Sequence, residues 1–385
     1  MFSLKRNKNN INDLQKLNKA KNIEMEKSSI NIDKKNTFNL VKEDQSLKQT
    51  KKNTIKSHNC YAGTDNHNYS CYSKSHLLKL TKDWNHFYKT NYKGGLFNHY
   101  NNHNNNKHNN HDNNEINDVH LLSEDDDLSI IDLWNNLDNI IKKNYNCNNE
   151  MCWSSLPFIK NKTFLLKRFK PFKPNSWLKN NRTWLSTPDI ENVLEQYEQK
   201  HFDFKFLGVS PVDWNYKFSD STCVTEDLCN LDLLKLYNNG VKKVGIIFNL
   251  DKHNDTGSHW VALFSDLIER EVYYYDSYGY RPPYNIRQLM SNISNQGKNI
   301  PILDIKKDIS NKGICLDNCN NLDNTLFSTY YNDIRHQYKN SECGVYSMHF
   351  IISFLEGKTF IEIINNIIND DNINKFRDIY YQIKN

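Results

Sequence analysis

Glycine and proline are scarce, with 12 and 8 residues in a chain of 385, while Asn, Lys, Ile and Tyr abound. Those four residues share AT-rich codons, so the bias follows the coding DNA as much as the fold, and Asn-rich stretches are discounted as functional signals. No stretch approaches the roughly 20 apolar residues needed to cross a bilayer. The opening MFSLKRNKNN lacks the apolar core of a secretory leader. Membrane contact and secretion are therefore not expected; a soluble, intracellular chain is. Nine cysteines in that setting are expected as reduced thiols. Cys147 with Cys152, Cys223 with Cys229 and Cys315 with Cys319 miss the two-residue gap of zinc knuckles. Neither a structural metal nor a cofactor is expected.

What is present is unevenly spread. Mean hydropathy is −0.81, and the polarity is concentrated at one end. Residues 1–56 hold 14 Lys and Arg against 6 Asp and Glu, and residues 57–150 hold 8 against 12. A basic arm such as 1–56 can neutralise phosphates, so nucleic acid is one candidate partner. A solvated tail in a lysine-biased chain explains it at least as well. Within 98–114, ten of seventeen positions are Asn and four are His, with no acidic or Cys partner at ligand spacing. Residues 1–119 therefore suggest low-complexity disorder.

Ser123 followed by Asp126 resembles a capping box. Beyond it Ile130, Ile131, Trp134, Leu137 and Ile141 fall on one helical face, so 120–150 suggests an amphipathic helical arm. From Met151 aromatic residues arrive in quick succession, and 151–385 is taken as one folded domain. Thr187 suits a helix N-cap, with Pro188 at the first helical position. Segments 243–249, 259–265 and 271–276 are rich in β-branched and aromatic residues and suggest strands. A broadly apolar helix over 342–356, stopped by Gly357, should be central and buried. Helices gathered around a mostly antiparallel sheet make an α+β domain.

A thiol is a strong nucleophile only as thiolate. Cys343 opens the apolar helix, where partial positive charge and free backbone N–H groups favour that form, and Gly344 keeps the approach uncrowded. Alone it is suggestive only, because cysteines are often simply buried. If 259–265 and 271–276 pair through a turn at 266–269, His259 stands directly opposite Asp276. A carboxylate there can fix the imidazole tautomer and leave the other nitrogen facing a thiol. A surface cross-strand pair is the plain alternative. Gln337, six residues before Cys343, could join the Cys343 N–H in holding an oxyanion.

His259-Trp260 opening a strand, Asp276-Ser277 ending the next, and Gln337 before Cys343-Gly344-Val345 resemble the Ulp1-like (clan CE) cysteine peptidases. That clan includes SUMO-specific proteases and viral maturation proteases such as those of adenovirus and African swine fever virus. Trp184-Leu185-Ser186-Thr187-Pro188-Asp189 is similar to the helix entry that precedes the catalytic part in this clan. The resemblance implies an Ulp1/adenain-like fold over 151–385. It implies Cys343 as nucleophile, His259 as base and then acid, Asp276 as its orienting group and Gln337 in the oxyanion hole. Trp260 and Trp184 would roof a narrow channel, and cleavage would follow Gly-Gly or Gly-x-Gly. The long interval from His259 to Cys343 implies an insertion within 285–335.

The leading expectation is an endopeptidase that processes viral capsid or core precursors, in the virion and host cytoplasm. The competing expectations are a protease that removes SUMO or a similar modifier, and an inactive scaffold that binds glycine-tailed partners.

Overall fold

The computed structural model describes residues 60–62, 70–92, 121–219, 222–302, 313–319 and 325–383. The basic segment 1–56 and the Asn-rich run 98–114 lie outside the described residues. The rest falls into two compact units. One lies between Asn53 and Lys173 and takes the chain end from Tyr381, and the other is Pro174–Tyr380.

The first unit is helical. Helix α1 (Lys74–Tyr92) buries Leu77, Leu80, Trp84 and Tyr88, a 3.6-residue stripe. Those side chains share a core with Leu133, Leu137, Ile140 and Ile141 of α2 (Ile130–Asn144) and with Trp153, Phe158, Leu165 and Phe169. This corrects the expected organisation twice. A regular helix stands inside 1–119, its stripe masked in the sequence by the Lys, His and Asn of the outer face. The aromatic run after Met151 packs here, not in the domain that carries Cys343. Helix α2 also begins later than the Ser123 signal suggested: the Ser129 Oγ accepts the Asp132 N–H at 3.1 Å. Ile131 is 40% exposed, and Leu133 and Ile140 complete the buried stripe instead.

The expectation of reduced thiols is also corrected. Eight cysteines pair as Cys60–Cys71, Cys147–Cys152, Cys223–Cys229 and Cys315–Cys319, leaving Cys343 free. The physical reason is local: partners four to eleven residues apart sit with Cα separations of 5.1–6.8 Å, within disulfide reach.

The second unit is built on a six-stranded sheet: β1 (Phe204–Pro211), β2 (Lys243–Asn249), β3 (Trp260–Asp266), β4 (Glu271–Tyr275), β5 (Ile314–Asp317) and β6 (Ser328–Tyr331). Its order is β1-β2-β3-β4-β6-β5. The pairs β2–β3, β3–β4 and β5–β6 are antiparallel while β1–β2 and β4–β6 are parallel, so the sheet is mixed. The stretch 285–335, within which an insertion was expected, supplies β5 and β6. Central strands β3 and β4 read almost wholly apolar and aromatic because both their faces are covered.

Three longer helices flank the sheet: α3 (Thr187–Lys200), α4 (Tyr284–Gln296) and α5 (Cys343–Leu355). The α3 cap sits one residue earlier than expected. Ser186 donates its N–H (2.8 Å) and hydroxyl (2.6 Å) to the Asp189 carboxylate, which leaves Pro188 within the first turn. In α5 every residue but Phe354 is buried, as a central helix requires. It packs on β3, with the Phe354 and Phe264 rings stacked at 4.3 Å. This contact joins the C-terminal end of α5 to the far end of β3.

Candidate active site

His259 immediately precedes β3 and Asp276 immediately follows β4, so antiparallel pairing brings both to the same end of the sheet. The observed register sets Ala262 opposite Tyr275. Extended outward, it places Tyr278, not Asp276, opposite His259. The expected register is therefore wrong by two residues. A slip of two keeps every side chain on its face, whereas a slip of one would not. His259 and Asp276 thus become diagonal neighbours, and Nε2 of His259 lies 2.7 Å from Oδ1 of Asp276.

Asp276 is fully buried. Its Oδ1 also accepts the Tyr278 N–H at 2.8 Å, while Oδ2 has no hydrogen-bond partner among the described residues. Asn332 holds the backbone on both sides: its Oδ1 accepts the Asp276 N–H and its Nδ2 donates to the Asp276 carbonyl, each at 2.9 Å. The carboxylate is therefore fixed before any substrate arrives.

Cys343 is the first residue of α5 and is buried. The preceding residue, Glu342, is fully buried and would be costly as a lone charge. Arg377, itself buried, donates to it from Nε (3.2 Å) and Nη2 (3.0 Å), and Asn374 Nδ2 donates at 3.0 Å. Arg377 Nη2 also reaches the Thr183 carbonyl at 2.7 Å. This buried pair anchors the residue before the sulfur to the chain's closing helices.

Burial lowers the pKa of His259. Hydrogen bonds to Asp276 and Cys343, together with their negative charge, outweigh that and raise it to about 9. The ring is consequently cationic at neutral pH. The cationic ring and the Cys343 sulfur thus meet at the head of α5.

The structure brings three more of the expected residues to this end. Gln337 is fully buried; its Oε1 accepts from Ser277 Oγ at 2.6 Å and its Nε2 donates to the Lys339 carbonyl at 2.6 Å. Trp260 is buried and donates Nε1 to the Leu185 carbonyl at 3.0 Å. Trp184 is 48% exposed, with Nε1 on the Asn340 carbonyl at 2.7 Å, so it is not core packing. Both indoles line one groove of about 660 Å³, bounded further by Pro188, Val209 and His253. Gly344 has a reason other than easy approach to sulfur. A Cβ there would stand 2.9 Å from Leu185 Cδ1 and 3.1 Å from Trp260 Cδ1.

Sequence reasoning missed Tyr278, Asn332 and the Glu342–Arg377 pair. Tyr278 lies in the turn just past β4, two residues after Asp276. The other two lie 56 and 35 residues from their partners, and no local pattern announces such contacts.

Residues 239–385 match the C-terminal catalytic domain of the Ulp1 protease family. A thiol protease of Acanthamoeba polyphaga mimivirus is 33% identical over 199 residues, covering 52% of this chain and 57% of the relative. The chain therefore spans little more than half of that relative's length. A SUMO-1 cysteine protease of African swine fever virus is 26% identical over 269 residues, covering 63% of this chain and 85% of the relative. A crystal structure of an African swine fever virus protease aligns with TM-score 0.49 and 20% identity, over 86% of this chain and 98% of the other. The free cysteine heading α5 and the His259–Asp276 pair both lie inside 239–385, the span that is similar to the catalytic domain of the Ulp1 protease family.

Proposed function

We propose that the chain is a cysteine endopeptidase in which Cys343, His259, Asp276 and Gln337 are the working residues, and that it cleaves after glycine-rich sequences. The single observation that carries this is the His259 ring, bonded to Asp276 through Nε2 at 2.7 Å and within electrostatic reach of Cys343 at the head of α5. In this reading the Cys343 sulfur attacks the scissile carbonyl carbon and the carbonyl electron pair moves onto oxygen. The Cys343 N–H and the Gln337 amide hold that oxyanion. Collapse breaks the C–N bond while His259 gives its proton to the departing amine. Water then attacks the thioester and loses a proton to His259, and the thiolate leaves with its electron pair.

Glycine preference follows from the crowding around Trp260. Where an indole and Leu185 already exclude a Cβ from Gly344, a substrate main chain beside them fits best without side chains. Trp184, on the same groove, narrows the approach. Relatives in two large viruses favour a viral precursor as substrate, in virion and host cytoplasm. The similarity to a SUMO-1 cysteine protease of African swine fever virus favours a second reading, removal of a SUMO-like modifier.

The test compares wild type with Cys343→Ala on Gly-Gly-x peptides and on a SUMO–fluorophore conjugate. Peptide turnover by wild type alone is expected. Turnover of the conjugate alone would favour the second reading. A folded wild type that cleaves neither and whose Cys343 resists a thiol-directed probe would overturn both.

A further inference from the structure

We propose that Tyr278 is a positioning residue of this centre: its ring face holds the His259 imidazolium and its hydroxyl holds the Gln337 amide. The proposal rests on the peptidase reading above. Three of the four expected catalytic residues meet at this one tyrosine. Tyr278 stands in the turn just past β4, where its ring and that of His259 stack with centroids 4.7 Å apart and planes 23° from parallel. The Tyr278 N–H donates to Asp276 Oδ1 at 2.8 Å, the same oxygen that binds His259. The Tyr278 hydroxyl lies 3.5 Å from Gln337 Nε2 and donates to the Lys339 carbonyl at 3.4 Å, which also accepts from Gln337.

The backbone leaves this ring little freedom. A turn closes behind it through the Gly279 N–H on the Asp276 carbonyl at 2.8 Å. Gly279 sits at φ +75°, where an added Cβ would come within 2.8 Å of the Asp333 carbonyl oxygen. Only glycine adopts that conformation there without strain.

An aromatic face attracts a cation stacked on it. Tyr278 therefore stabilises the charged form of His259, in addition to Asp276 and Cys343, the charged groups that face the imidazole. Arg335 is the other charge at this ring: its guanidinium lies 5.1 Å from the Tyr278 centroid, and its Nε donates to the Gln337 carbonyl at 2.7 Å.

The test is the pH dependence of kcat/KM for wild type, Tyr278→Leu and Tyr278→Phe. The same three proteins are also alkylated at Cys343 by iodoacetamide across pH, which needs no substrate. Tyr278→Leu removes the ring face, so the alkaline midpoint should fall by roughly half to one and a half pH units. kcat should drop while KM changes little. Tyr278→Phe keeps the face, so the midpoint should stay, while loss of the hydroxyl lowers kcat by about fivefold. A Leu variant that loses activity with its alkaline midpoint unmoved would reduce Tyr278 to a cover over the site and overturn the proposal. So would a Phe variant that behaves like Leu. A wild type that hydrolyses nothing would count against the peptidase reading, whereas the alkylation profile would still decide this one.

Discussion

Two places in the Pro174–Tyr380 unit hold largely shielded histidines, cationic in one and neutral in the other at neutral pH. At the sheet end the His259 side chain is 12% exposed, and its pKa is about 9. Inside α5, His349 is 9% exposed as a residue, and burial, with the charges of Lys358 and His336 adding to it, lowers its pKa to about 3. His336, next to Gln337, is lowered by burial to about 4, despite its hydrogen bond to the Ile364 carbonyl. Burial lowers the pKa at both places, and something else overrides it at His259. The difference is a carboxylate: Asp276 sits 2.7 Å from His259, while His349 has the Tyr380 hydroxyl at 3.1 Å and the Ser353 hydroxyl at 3.3 Å. A buried imidazole is neutral by default, and one fixed anion reverses it.

The largest break of this contrast is Asp276→Asn, which makes the two places alike. The amide keeps the shape and loses the charge, so the ring can take the wrong tautomer and no longer stays cationic. A fall in kcat on the order of 10⁴-fold is expected by analogy with serine-protease triads. The alkaline limb of kcat/KM should move down from near pH 9. Activity within tenfold of wild type, with the limb unmoved, would mean that Asp276 does not set the charge of His259.

Stability against pH sharpens the contrast next, because the two sets of histidines act in opposite windows. His336 and His349 are lowered below their unfolded value of 6.5. The unfolded chain takes up protons that the folded chain refuses, so stability is lost as pH falls from 6.5 through about 4 and 3. The full loss is about 3–5 kcal/mol for each group. His259 is raised, so its contribution is complete below pH 6.5 and disappears as pH rises through about 9. Urea midpoints measured from pH 4 to 9 should fall on both sides of a plateau. His349→Leu should flatten the acid side alone, and Asp276→Asn the alkaline side alone. A single variant that altered both sides would show that the two places are coupled.

The sequence made one member of this contrast legible and hid the other. His259 and Asp276 flank strands whose β-branched and aromatic residues announce them, and the pairing survived a register error because the error was of two residues. Cys343 was visible as the head of an apolar helix ended by Gly357. His349 carried no signal, since it sits mid-helix and its environment comes from Tyr380, 31 residues away. The α1 helix was missed because its four buried apolar residues are diluted among Lys, His and Asn. The cysteine pairing was misread for another reason: expected compartment was weighed above local distance. Tyr278 was overlooked because it lies in the turn past β4, where strand alternation gives no guidance.

The smallest test asks what keeps His349 neutral. Its Nε2 lies 3.3 Å from Ser353 Oγ, a long contact, and the lowering of its pKa is attributed to burial first and to the charges of Lys358 and His336 after it. Ser353→Ala should therefore cost about 1 kcal/mol or less at pH 7, the net worth of one neutral hydrogen bond. The acid limb of the stability curve should keep its midpoint. A midpoint that moved by a full unit would mean that the hydroxyl, not burial, governs the ring. The sheet end and the α5 core would then differ in which hydrogen bond each histidine makes, and a carboxylate would no longer be the deciding feature of the His259 site.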